Sequence, residues 1–158
     1  MTPTPDTATP RSPRHRRGGA ARALTRSWRE AVIPLGPGDT AAVPLLRAIT
    51  RRVLTGWQIA TDRVDDIELA VSELTANALI HTRGPVRVRL AHRRGTLRLD
   101  VADTSTHRPE PADADLGGDL ENGRGLGIVA ALADRMHTEP CTTGSNTGKV
   151  TVVEFDLS

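Results

Sequence analysis

The chain has 158 residues, enough for one domain with a proper core. One Phe, two Trp and no Tyr leave that core to Leu, Val, Ile and Ala. A lone cysteine, Cys141, excludes an intrachain disulfide and a thiolate metal cluster. No apolar run reaches the roughly 18 residues of a membrane helix, and no apolar leader follows Met1, so a cytoplasmic protein is expected.

The formal net charge of +2 is unevenly spread. Residues 1–27 carry six arginines (11, 14, 16, 17, 22 and 26) against Asp6, a net of about +5, which leaves the remainder near −3. This segment is rich in Pro, Thr and Gly without apolar periodicity, so a disordered tail is expected. No aromatic side chains interleave its arginines for base stacking, which favours a solvated extension over a nucleic-acid contact.

Residues 28–35 read as an edge strand, since Pro34 is tolerated at an edge but not in a central strand. Gly36-Pro37-Gly38 breaks it, and Asp39 or Thr40 is placed to cap a helix running to about residue 54. Gly56 stops that helix. Thr61 or Asp62 opens the next, which ends near Thr82 before Gly84-Pro85. Val86, Val88 and Leu90 alternate with arginines, and Leu97, Leu99 and Val101 alternate in the same way after the turn at Arg93-Arg94-Gly95. An antiparallel hairpin follows from that pattern. Residues 104–122 are polar and aperiodic, as a functional lid would be. A short apolar helix over residues 128–132 is expected next, then strands near residues 135–141 and 149–157. This order predicts an α/β two-layer sandwich, with helices on one face of a mixed, largely antiparallel sheet.

Within the second helix, Ile67, Val71, Leu74 and Ala78 form a stripe at helical spacing that should face the core. Glu73 and Asn77 stack one turn apart at its rim, with His81 a turn further. A carboxylate and a carboxamide so placed suit Mg²⁺ and a reacting water or hydroxyl; a solvated Glu beside a helix-surface Asn is the plainer reading. Asp103 ends an apolar strand, where a buried carboxylate needs a partner such as an exocyclic amine beside a ring nitrogen, or simply caps the loop. Gly123-Arg124-Gly125-Leu126-Gly127 allows close backbone approach to a phosphate. No strand precedes it and no Lys-Ser/Thr follows, so it is neither a dinucleotide fingerprint nor a Walker A loop. Gly148-Lys149 is a turn that feeds the final strand.

In this order, the four pieces resemble the N box, two glycine boxes and last turn of the GHKL (Bergerat-fold) ATPases. The stretch Val71-Ser-Glu-Leu-Thr-Ala-Asn-Ala-Leu-Ile-His81 is most similar to the anti-sigma-factor serine kinases of the RsbW type, over about residues 28–157. The resemblance implies that Asn77 ligands a Mg²⁺ bridging the phosphates of ATP and that Glu73 is the general base. It further implies that Asp103 accepts from the adenine amino group, and that Arg124, Gly125, Leu126 and Gly127 lie near the phosphates. Lys149 would also reach the nucleotide.

A sigma factor and a STAS-type anti-anti-sigma protein are the implied partners, with the chain itself as a homodimer. A phosphohistidine role for His81 is disfavoured, because no dimerisation helix pair precedes it. One departure stands out: Asp103 is followed by Thr-Ser-Thr-His-Arg-Pro where the wider superfamily has Asp-x-Gly-x-Gly. The rival readings are an ATP-binding regulator without catalysis and, from another class, a nucleic-acid binder acting through its tail. The second lacks any DNA-reading motif.

Overall fold

The computed structural model describes residues 28–106, 120–143 and 146–158. The expected tail and most of the expected lid lie outside the described residues. The elements run β1 (Arg29–Leu35), a 3₁₀ turn (Thr40–Ala42), α1 (Val43–Gly56), α2 (Thr61–His81), β2 (Val86–Arg93), β3 (Thr96–Asp103), α3 (Leu120–Leu132), β4 (Arg135–Thr143) and β5 (Asn146–Asp156).

The five strands form one sheet in the order β1-β2-β3-β5-β4. Every neighbouring pair is antiparallel, so the largely antiparallel sheet is wholly so. β1 occupies an edge, as Pro34 requires. The β2–β3 turn uses Arg94 at φ 52° and Gly95 at φ 79°. Two successive left-handed residues match the right-handed twist of a tight hairpin, and glycine takes the second without steric cost.

Strand alternation divides the sheet into two unlike faces. Val88, Leu90, Leu97, Leu99, Val101, Val153 and Phe155 point to the helices and are buried. The stripe read from the sequence, Ile67, Val71, Leu74 and Ala78, meets them from α2. Phe155, the only phenylalanine, is fully enclosed in this layer. On the other face, Arg89 bridges Glu30 and Asp100 while Arg98 also holds Asp100. Between helices, Arg47 and Arg51 of α1 both reach Glu68 of α2.

Two helix starts differ from expectation. α1 begins at Val43 after the 3₁₀ turn, and Asp39 makes no side-chain cap. Pro44 sits in the first turn, where its missing N–H has no helical acceptor to lose. α3 begins at Leu120, eight residues before the expected start at Ile128, and takes the glycine run into the helix. Glycine lowers intrinsic helix propensity by about 1 kcal/mol, yet burial of Leu126 and Val129 against the core outweighs it. No helix among the described residues is long and apolar enough to cross a membrane.

Candidate functional site

α2 packs against β3 on one side and against α3 on another, so its rim faces the seam between sheet and third helix. Glu73 and Asn77 both lie on that rim, half-buried. Neither side chain has a hydrogen-bond or ion-pair partner among the described residues. His81, at the end of α2, is exposed.

Gly125 is buried and set directly against Glu73: a Cβ built on it would stand 2.5 Å from Glu73 Oε2. The glycine thus makes room for the carboxylate between α2 and α3. Gly127, by contrast, faces open space. Because Gly125, Leu126 and Gly127 lie past the first turn of α3, their N–H groups belong to the helix body and not to its free N-terminal turn. The expectation of free loop amides there is corrected accordingly. The side chain of Arg124 lies outside the described residues.

Asp103 closes β3 on the helix-covered face and is buried. Its Oδ1 accepts from the Ser105 backbone N–H at 2.7 Å and from Lys149 Nζ at 3.1 Å. Lys149 Nζ is also 3.1 Å from Oδ2, so the ammonium straddles the carboxylate. The β3–β5 register pairs these two residues directly. Asp103 therefore caps its loop and forms a buried ion pair at once, and it places the predicted Lys149 in the same site.

On that face, a cavity of about 210 Å³ is lined by Thr106, Thr138, Pro140, Thr147, Gly148 and Lys149. Thr138 and Pro140 pair with Thr151 and Lys149, which puts them on the side of the sheet that carries Val153. A second cleft, about 230 Å³, touches Asp103 and Gly148 from the open face beside Arg87, Ala102 and Cys141. The first cavity is the one that Lys149 lines, on the face of the sheet that the helices cover. Glycine is required at 148, because a Cβ there would overlap the Asp103 carbonyl. Gly84 is likewise pressed against Thr104, whose hydroxyl shares a 2.6 Å hydrogen bond with Thr82 at the end of α2.

Sequence reasoning missed Thr106, Thr138 and Thr147. Only the long-range register of β4 on β5 identifies the face that Thr138 occupies. The donor set suits a magnesium nucleotide. No group of three His, Cys, Asp or Glu side chains capable of holding a metal occurs among the described residues. Mg²⁺ needs few protein oxygens when phosphates supply the rest, so one carboxamide with a neighbouring carboxylate fits it.

No curated protein matches the chain significantly. Among solved structures, it is similar to the RsbU and RsbW domains of Rv1364c from Mycobacterium tuberculosis, with TM-score 0.58 and 20% identity over 82% of this chain. That match takes in 32% of the other protein, so this chain spans about a third of its length. The histidine kinase domain from the Erythrobacter litoralis EL346 blue-light activated histidine kinase gives TM-score 0.41 and 31% identity, over 60% of this chain and 45% of that one. The family model of the histidine kinase-like ATPase domain matches residues 36–154. That span holds Glu73, Asn77, Asp103, the α3 glycines and Lys149, and the chain belongs to the histidine kinase-like ATPase domain family.

Proposed function

We propose that this protein is an ATP-dependent serine/threonine kinase of the anti-sigma-factor type, which phosphorylates a STAS-like anti-anti-sigma partner and sequesters a sigma factor. The observation that carries the reading is the pair Glu73 and Asn77, one turn apart on α2 and without a side-chain partner among the described residues, with Glu73 set against Gly125 of α3. The resemblance of residues 71–81 to the anti-sigma kinases supplies the partner class.

In this reading, Asn77 would hold Mg²⁺ through its amide oxygen, and the ion would supply charge neutralisation for the phosphates. Glu73 accepts the proton of the partner hydroxyl as that oxygen forms its bond to the γ-phosphorus. The bond from the γ-phosphorus to the β,γ-bridging oxygen breaks, and ADP leaves. Phosphoryl transfer asks mainly for positioning and charge stabilisation, so a small number of fixed side chains suffices. Gly125 keeps the Glu73 carboxylate against α3, and Asp103 with Lys149 lies at the base end of the site.

The test has two stages. Calorimetry with Mg-ATP should give saturable binding that Asp103→Ala abolishes. Transfer of labelled γ-phosphate to a STAS protein should then fall by about 10²–10⁴-fold in Glu73→Ala. Transfer that survives Glu73→Ala unchanged would sink the catalytic assignment. A second reading, an ATP-binding regulator without catalysis, draws on the departure after Asp103, where Thr104-Ser105-Thr106 stands in place of the glycine box. It predicts binding without transfer.

A further inference from the structure

The Asp103 side chain is 4% exposed and that of Lys149 is 10% exposed, and it is Lys149 that lines the 210 Å³ cavity. Of the ion pair, the member presented there is thus the ammonium, beside Thr106, Thr138 and Thr147. We propose that Lys149 is a specificity-determining residue that opens this site to 6-oxopurine nucleotides alongside adenine nucleotides. The inference rests on the nucleotide-site reading above.

The chemistry follows from the two groups. A carboxylate only accepts hydrogen bonds, whereas an ammonium only donates them. A bare Asp103 would welcome the 6-amino group of adenine and repel the 6-carbonyl of guanine or hypoxanthine. With Lys149 across it, the same position offers a donor, which the 6-carbonyl accepts. The 6-amino group needs the ammonium to move aside and expose Asp103. The Lys149 stem is unbranched and carries three rotatable donors, and among the described residues the Asp103 carboxylate is their partner. A site with a charged donor and a charged acceptor side by side offers a partner to either purine. A site with the carboxylate alone accepts the N1–H of a 6-oxopurine at best and leaves its buried 6-carbonyl unpaired, which disfavours it.

Inosine triphosphate is the sharper probe, because it changes the 6-position without adding the 2-amino group of guanine. Calorimetry on the full chain with Mg-ATP and Mg-ITP should give dissociation constants within about tenfold of each other. In Lys149→Met, ITP should weaken at least about tenfold relative to ATP, while Lys149→Arg, which keeps a cation on Asp103, should hold the wild-type ratio. Should Lys149→Met fail to fold by circular dichroism, the Asp103→Asn/Lys149→Met double variant replaces it. That variant removes the lone buried charge and should bind the two nucleotides with no preference set by charge. Wild type that binds ATP but not ITP, or a ratio unmoved by Lys149→Met, overturns the proposal and leaves the nucleotide site standing. Binding of neither nucleotide overturns the site itself and this inference with it.

Discussion

Glu73 of α2 and Gly125 of α3 are fitted to one another: the carboxylate Oε2 occupies the space a side chain at 125 would claim. The atom that an added methyl would meet is the tip of a flexible side chain, so the clash is relieved by turning Glu73 away. Alanine also gains about 1 kcal/mol of helix propensity over glycine. Gly125→Ala should therefore change stability by less than about 1 kcal/mol in denaturant melts. Phosphotransfer should fall by about 10²-fold, because displacement of a catalytic group by an ångström has that scale. A variant that melts normally and transfers normally would show that Glu73 needs no fixed place.

Gly148 offers the opposite case, because its neighbour is backbone. A methyl there would overlap the carbonyl of Asp103, and the β3–β5 ladder cannot yield without breaking its register. Gly148→Ala should cost about 1–3 kcal/mol and weaken nucleotide binding at the same time. Gly127→Ala, with open space around it, serves as the control and should be neutral or stabilising by up to about 1 kcal/mol.

Phe155 tests how far a core poor in aromatics leans on one ring. It is fully buried between β3 and the helices, opposite Leu97. Phe155→Ala should cost about 3–5 kcal/mol, read from the urea midpoint. A loss under 1 kcal/mol would mean that the surrounding Leu and Val side chains collapse into the gap.

His92 predicts an acid-side loss of stability. Burial chiefly, and the positive charge of Arg29 in addition, hold its imidazole below the ordinary value of 6.5. Its Nδ1 is buried without a hydrogen-bond partner among the described residues, and Trp57 stacks on the ring. The unfolded chain therefore binds this proton first as pH falls. Stability is fully present above about 6.5 and declines as pH drops from there toward the lower folded-state value. His92→Phe, which keeps the stacking, should flatten that part of the profile in thermal melts across pH 5 to 7. An unchanged slope would assign the loss to the carboxylates.

Much of this was legible in the chain itself. The Ile67, Val71, Leu74, Ala78 stripe and the alternation on either side of Arg94-Gly95 are local patterns, and local patterns survive folding. Glu73 and Asn77 were readable because four-residue spacing on a helix is a geometric fact. The start of α3 at Leu120 was not, since glycine argues against helix until α2 is there to pack on it. The Asp103–Lys149 pair joins residues 46 apart through a strand register that no short window contains. Thr138 owes its place to the same cause.

The strand order has a consequence for how the molecule is made. β5 lies inside the sheet, between β3 and β4, yet it is synthesised after every other strand. While the nascent chain emerges, one edge of β3 stays unpaired and Asp103 waits without its counter-ion. Neither the Asp103–Lys149 pair nor closure of the sheet can precede the arrival of residues 146–156. A ribosome that stalls before them leaves an exposed strand edge, a template for mispairing with other chains. The emergence of residues 146–156 is thus the event that covers the open edge of β3 and gives Asp103 its counter-ion.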